Sequence, residues 1–561
     1  MTLPNTVSEY SRYASQEFLQ TVVFVDDRIY ESKGGTVHEP RNVTTPQQRK
    51  KVIKSQEQQS ETISSAENDK ELDEYSPHDV VNSFAKKQII CSLYQPSKRA
   101  KVTQASDIFP LCKAADVVII DWDLYGDRGK KALELINGLI EQAVTAVPEQ
   151  LRLVLVYTQE QNLVAIANEI FQKVTTSIGE QFEPLSEEKG LAFHTENSRL
   201  SVIGKPGRER PDTPPEHIVE EKELANVVVN EFAKLASGLL HAASLLGLAE
   251  IRKNSRKILS KFNSSLDPAF LTHRAFSLPQ EDASGHLVPL LISEIEAVLQ
   301  DKLDDPLISE SLIQDWCDNE WKPGDHVKAL LGNEVDERKI AADFCLKGKE
   351  MLAEHGSVKI IKKSLKKNGD WNKDKLRDIA DLLVCEKNST QNHELSRLMS
   401  SRTFYGDNPK KLELGAIVYV KREDETLKYL LCLMPVCDSV RLDGCRKFIF
   451  VELEKRDQSG NNRASITLLM KDNPPVELIY NPKSYKLFIA EFNPDKRDKH
   501  VLTKKSKSGL EIFEDTAGQE FVWADQLKTA HAQRAAEKFA RELSRVGLTE
   551  SEWQRLLDKE R

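Results

Sequence analysis

Residues 116–123 read Asp116-Val117-Val118-Ile119-Ile120-Asp121-Trp122-Asp123, an apolar run without a break that ends in acid. A continuous run of this length, rich in β-branched residues, fits a strand buried on both faces, as in a parallel sheet. Working outward, three more runs share the pattern. Upstream lies Thr21-Val22-Val23-Phe24-Val25-Asp26-Asp27; downstream, residues 151–158 end at Thr158, and Leu200-Ser201-Val202-Ile203-Gly204 leads into Lys205-Pro206. The order along the chain is acid pair, acid, hydroxyl, lysine.

Ligand sites in parallel sheets form at the carboxyl ends of the strands, so all these side chains are expected at one edge. Asp26, Asp27 and Asp121 offer hard anionic oxygens suited to Mg²⁺, which prefers one or two carboxylates completed by water and phosphate oxygens. Thr158 as a hydroxyl donor and Lys205 as a point charge would face a phosphoryl group. Phosphoryl transfer needs little beyond such positioning and charge neutralisation. Any one of these residues alone reads as a turn former, a helix cap or a solvated side chain. Their joint order carries the argument.

In these residues the chain resembles the receiver domain of bacterial two-component response regulators, a doubly wound α/β (flavodoxin-like) fold with a parallel five-stranded sheet. The resemblance implies that Asp121 attacks a donor phosphorus and holds the phosphoryl group as an acyl phosphate. It also implies that Asp27, Asp121 and the carbonyl of Asp123 bind Mg²⁺, that Asp26 assists through water, and that Thr158 and Lys205 complete the switch. The chain departs from the family at Tyr125, where a proline is usual, although Gly129 falls where that loop has its glycine. It departs again at Val202, which stands in the place of the switch aromatic. Long insertions separate the first two strands and follow Thr158. A rival reading uses nearly the same residues: a haloacid-dehalogenase-like phosphatase would place a D-x-D at Asp121-Trp122-Asp123. That family needs a second acid pair after the lysine, and no apolar strand ending in two carboxylates follows Lys205.

At 561 residues the chain exceeds one hydrophobic core. Residues 1–206 are expected to form the receiver, with a Gln-, Ser- and Lys-rich disordered insertion at about 31–76. A linker and a long connecting helix would occupy 207–265, because Leu224, Val228, Phe232, Leu235, Leu239, Ala242 and Leu246 mark one helix face. Residues 266–410 alternate helical patterns with breaks such as Pro323-Gly324, and 411–561 read as a small β-rich α+β domain with C-terminal helices. Its runs lie at 416–421, 429–434, 447–453, 464–470 and 486–492, with helix expected from Trp523 onward. A capping box at Thr549-Glu550-Ser551-Glu552 would open a last helix. His241, set among Leu239, Leu240, Ala242 and Ala243, reads as a packing histidine rather than a phosphotransfer residue.

A net charge of -9 gives no global bias toward nucleic acid, and the basic run 359–367 reads as a solvated helix face. Eight scattered cysteines without a CxxC pair make neither a disulfide framework nor a zinc signature. Cys91 and Cys112 read as core residues and Cys432, Cys437 and Cys445 as buried thiols. The N-terminus lacks a signal-peptide pattern. The most apolar stretch, between Lys234 and Glu250, falls short of the roughly 20 residues a membrane span needs. The expected place is the cytoplasm. No P-loop, H-E-x-x-H, G-x-S-x-G or basic helix-turn-helix appears in the second half.

The functional expectation is therefore a phosphoacceptor rather than an enzyme, with at most self-phosphorylation and self-dephosphorylation, served by a histidine kinase or other phosphodonor protein. Other receiver or effector proteins would be partners, and a homodimer stays open. The layout of a receiver with insertions and a large unfamiliar C-terminal region looks like the receiver proteins of Detocs-type antiphage phosphorelays, where it would modulate or buffer a signal. A degenerate receiver serving as a constitutive scaffold is the alternative of a different class.

Overall fold

The computed structural model describes residues 4–29, 76–98, 107–146, 150–211, 213–277, 282–303, 307–331, 335–355, 382–384, 390–422, 424–456, 466–469 and 474–544. The insertion expected at about 31–76 (apart from Ser76), the basic run 359–367 and the capping box at 549–552 lie outside the described residues. The chain divides into two compact units, Met1–Glu320 and Trp321–Arg561.

In the first unit, α1 (Val7–Phe18) leads into β1 (Thr21–Val25). Then come α2 (Pro77–Lys86), β2 (Ile90–Tyr94), α3 (Ile108–Ala114), β3 (Val117–Ile120), α4 (Lys130–Thr145), β4 (Arg152–Thr158) and α5 (Leu163–Ile178). Two short strands, β5 (Glu183–Pro184) and β6 (Ala192–His194), precede β7 (Ser198–Gly204). Helix starts follow local capping chemistry. Ser76 caps α2 ahead of Pro77, and Asn162 accepts the N–H of Ala165 at the start of α5.

The strands lie in the order β2-β1-β3-β4-β7-β6-β5, and the first five run parallel. This is the doubly wound sheet expected from the four apolar runs. Alternation along each strand supplies both faces. Val23, Val25, Val118, Ile120, Val154, Val156, Leu200 and Val202 pack against Ile136 and Leu139 of α4 and Ile166 and Ile170 of α5. Val22, Phe24, Val117, Ile119, Leu153, Leu155 and Tyr157 pack on the other side against Tyr10 of α1, Phe84 of α2 and Val228 and Phe232 of the following helix. Each such side chain contributes about 1.5–3 kcal/mol on burial, which is why the register of this sheet is strongly specified.

Two features were not expected. The β5–β6 hairpin adds antiparallel strands to the outer edge of β7, where Val202 donates its N–H to the carbonyl of Leu191. The apolar repeat 224–246 forms not one helix but two, α6 (Leu224–Leu235) and α7 (Leu239–Lys261). Gly238, at φ 111°, takes a conformation open to glycine and lets the chain turn between them. The repeat continues across the break because both helices turn apolar faces to the same core.

The rest of the first unit and the start of the second are helical: α8 (Asp267–Phe276), α9 (Asp282–Gly285), α10 (Leu287–Lys302), α11 (Glu310–Asp315) with a π-helical turn at Trp316–Glu320, then α12 (Asp325–Leu331), α13 (Glu337–Lys347) and α14 (Gln391–Ser400). The second unit contains an antiparallel sheet of nine strands, β8 (Ala416–Lys421), β9 (Leu427–Cys432), β10 (Arg446–Lys455), β11 (Ile466–Leu468), β12 (Val476–Ile479), β13 (Leu487–Phe492), β14 (Lys504–Lys505), β15 (Glu511–Glu514) and β16 (Glu520–Gln526), followed by α15 (Thr529–Leu543). Phe448, Phe450, Phe492, Phe513 and Phe521 fill one side of it. Trp523 lies inside β16, opposite Val418, rather than in a helix; the terminal helix starts at Thr529. Cys432 and Cys112 are buried and Cys91 is half-buried, whereas Cys437 and Cys445 are exposed, because the turn between β9 and β10 carries them outside the sheet. No helix of the described residues is long and apolar enough to cross a membrane.

Candidate functional site

Strand register brings the reactive residues together. Val25 pairs with Ile120, so the Asp26-Asp27 turn and Asp121 emerge side by side; Thr158 pairs with Gly204, so Lys205 emerges beside it. The Asp121 N–H donates to the carbonyl of Val25 at 2.8 Å, and the Lys205 N–H to that of Thr158 at 2.8 Å. The sheet thus delivers all five to one edge.

Lys205 is buried and directs its Nζ between two acids, 2.9 Å from Asp26 Oδ2 and 3.4 Å from Asp121 Oδ2. Its ammonium also lies 5.3 Å from the centre of the Tyr157 ring. Asp26 is fully engaged, since its Oδ1 accepts the backbone N–H of Arg28 at 2.8 Å. Asp27 is not. One of its oxygens accepts the Tyr125 N–H at 2.7 Å, and the other is buried with no hydrogen-bond partner among the described residues. Thr158 Oγ1 accepts the Glu160 N–H at 3.2 Å.

Tyr125 explains a departure from the receiver pattern. A proline there would have no N–H to give Asp27. Tyr125 adopts φ 63°, and its hydroxyl donates to the carbonyl of Pro96 at 2.6 Å, which fixes the loop that presents that N–H. Asp123 lies in the same loop, where its Oδ1 accepts the Arg128 N–H at 2.8 Å. Gly129, at φ 84°, passes so close to Trp122 that a β-carbon would fall 2.1 Å from the indole.

Among the described residues, Asp26, Asp27 and Asp121 form a group whose carboxylate oxygens lie within 4.8 Å of one another and could hold a metal ion. The unpaired Asp27 oxygen fits a hard divalent cation, because a buried acceptor without a partner is costly. Electrostatics point the same way. Burial pushes the Asp121 carboxyl up to about 6, with Lys205 and Arg28 offsetting only part of that push and Asp26 adding to it. Asp27 is also raised by burial, against the pull of the Tyr125 N–H.

Two basic residues escaped the sequence reading. Arg28 Nη2 lies 3.3 Å from Asp121 Oδ2, and its Nη1 donates to Gln159 Oε1 at 3.1 Å. Buried Arg210 donates to the carbonyls of Lys205 at 2.6 Å, Glu160 at 2.9 Å and Thr158 at 3.3 Å, tying the ends of β4 and β7 together. Lone arginines in turns have no periodic signal. The adjacency of Arg28 to the acid pair was the available clue.

The sheet order, the acid triad and the lysine between two of its members define a receiver domain carrying a buried acid cluster typical of phosphoacceptor sites. Residues 18–210 match the sequence profile of the family described as the Response receiver domain. No curated protein and no solved structure matches the chain. A domain of this kind implies a phosphodonor partner in general terms, and such domains are typically phosphoacceptors rather than enzymes.

Proposed function

We propose that the protein accepts a phosphoryl group on Asp121 from a histidine kinase or other phosphodonor protein and, in a two-component-like relay in the cytoplasm, modulates or buffers the signal. The observation that carries the reading is Lys205 held between Asp26 and Asp121 at 2.9 and 3.4 Å, beside an Asp27 oxygen that has no hydrogen-bond partner among the described residues. Asp121 supplies the attacking carboxylate oxygen, and Lys205 neutralises charge as the new bond forms. Thr158 offers a hydroxyl to the phosphoryl oxygens. Asp27 and Asp121, with the Asp123 carbonyl, would hold Mg²⁺ directly, and Asp26, already bonded to Lys205, would act through water; the ion would supply charge neutralisation on the phosphoryl oxygens. The antiphage phosphorelay setting belongs to this proposal, as do the four segments bounded at 206, 265 and 410.

Incubation of the full chain with acetyl phosphate and Mg²⁺ tests it. Wild type should acquire label and Asp121→Asn should not; label that persists in Asp121→Asn, or none in either, defeats the reading. Val202 supports a second one. It is buried among Val154, Val156 and Leu200 with no ring to swing, which favours a receiver scaffold whose partner contacts do not change. Identical partner capture by wild type and Asp121→Asn, with and without beryllofluoride, would select the scaffold. The phosphatase reading gains nothing, because among the described residues no second acid pair joins the triad after Lys205.

A further inference from the structure

Arg28 stands apart from the other charged groups at this edge. Its side chain is 34% exposed, against 1% for Lys205 and 2% for Asp121. The base of the arm is fixed by the N–H that Arg28 donates to Asp26 Oδ1. Its tip is part-buried and shared between two partners: the guanidinium reaches from the turn after β1 to Gln159, the residue after Thr158, at 3.1 Å and to Asp121 Oδ2 at 3.3 Å. Of the two basic side chains that touch Asp121 Oδ2, Arg28 is thus the one open to solvent.

We propose that Arg28 is a phosphoryl-binding residue: the guanidinium leaves the Asp121 carboxylate for the oxygens of the arriving phosphoryl group and, with Lys205, holds them during and after transfer. This rests on the reading of Asp121 as phosphoacceptor. In the step itself an Asp121 carboxylate oxygen bonds to the donor phosphorus while the donor's own bond to phosphorus breaks, oxygen–phosphorus in acetyl phosphate and nitrogen–phosphorus in a phosphohistidine. The leaving group, acetate or the imidazole nitrogen, takes the electron pair, and Asp121 attacks as the carboxylate with no proton to lose.

Two arguments favour this role over a plain surface ion pair. A guanidinium is a planar fork that matches two phosphoryl oxygens at once, which an ammonium does not. The charge also calls for it. Asp26, Asp27 and Asp121 bring three negative charges, Lys205 and Arg28 two positive, and turning the Asp121 carboxylate into an acyl phosphate adds another negative charge. Without Arg28 that addition would be met inside a mostly buried site by Lys205 and a divalent ion alone.

The experiment compares wild type, Arg28→Ala, Arg28→Lys and Asp121→Asn of the full chain by labelling rate with acetyl phosphate and by affinity for beryllofluoride in Mg²⁺, with melting temperature as the folding control. Arg28→Ala should label about tenfold more slowly and bind beryllofluoride about tenfold more weakly, a loss of about 1.4 kcal/mol. Arg28→Lys, which keeps the charge and the packing stem, should recover part of both, and remains informative should the alanine variant melt early. Equal rates and affinities in wild type and Arg28→Ala, with Asp121-dependent label in both, overturn the role of Arg28 alone. Faster labelling of Arg28→Ala also overturns it, making the arginine a latch on the nucleophile. Absence of Asp121-dependent label in wild type overturns the underlying reading as well.

Discussion

Asp27 accepts the backbone N–H of Tyr125 at 2.7 Å through one carboxylate oxygen and buries the other without a partner among the described residues. An unpaired buried acceptor costs on the order of 1–3 kcal/mol, which a divalent cation would relieve. Asp27→Asn should therefore weaken Mg²⁺ binding at least about tenfold in titration calorimetry, a change of about 1.4 kcal/mol. Asp123→Asn is the control, because that side chain serves the Arg128 N–H instead. It should shift affinity by less than about twofold. Comparable losses in both variants would move the ion away from the triad.

Asp121 makes stability depend on pH. Burial, only partly offset by Lys205, raises its carboxyl from 3.8 to about 6. The folded state then binds the proton more tightly than the unfolded chain. Its contribution to stability is fully present below about pH 3.8, fades as pH rises through about 6, and is gone above that. At pH 7.5 in a chelator, the charged form costs on the order of 3 kcal/mol relative to the neutral one. Asp121→Asn should accordingly be more stable than wild type to urea at pH 7.5, with the gap closing toward pH 5. A less stable asparagine variant at pH 7.5 would show that the buried charge is no cost.

Much of this site was legible because each strand is buried on both faces, and a run such as Val117-Val118-Ile119-Ile120 cannot be mistaken for a surface segment. The residue after each run then falls at the sheet edge by geometry alone. Arg28, Gln159 and Arg210 were not legible in this way, since their roles depend on which turns meet in space. The β5–β6 hairpin was hidden by length: Glu183–Pro184 and Ala192–His194 are too short to show alternation. The division of 224–246 into α6 and α7 had a visible signal in Ser237-Gly238, overridden by an apolar spacing that runs on through both helices. In the second unit the runs behind β8, β9, β10, β11 and β13 were legible, whereas β12, β14, β15 and β16 were not expected as strands; β14, with Lys504 and Lys505 exposed, has no apolar residue to mark it.

Gly129 supports the site through Trp122, the neighbour of Asp121. Its φ of 84° disfavours any side chain, and a β-carbon would meet the indole at 2.1 Å. Gly129→Ala should cost about 2–4 kcal/mol from strain and overpacking together. Urea unfolding measures the loss, and the near-ultraviolet circular dichroism of the displaced tryptophan should change with it. A neutral substitution would mean that the loop moves freely and does not hold Asp121 in place.

The hairpin edge of the receiver is held by charge. Arg199 on β7 donates through Nε to Glu231 of α6 at 2.7 Å and through Nη2 to Glu188 of the hairpin loop at 3.0 Å, while Ser201 donates to Glu231 at 2.5 Å. Burial pushes the Glu231 carboxyl up, yet Arg199, Lys234 and Ser201 together hold it below its ordinary range. A depressed carboxylate contributes stability above its unfolded pKa of 4.5 and loses it as pH falls through the folded value. Arg199→Met removes one of these partners while Lys234 and Ser201 remain on Glu231, so it should destabilise by about 1.5–3 kcal/mol at pH 7. Replacing both, with Arg199→Met and Glu231→Leu in one chain, should recover most of that loss, because apolar side chains of similar size often substitute for a buried ion pair. A double-mutant cycle in urea measures the coupling. Losses that simply add would mean that the two side chains do not act as a pair.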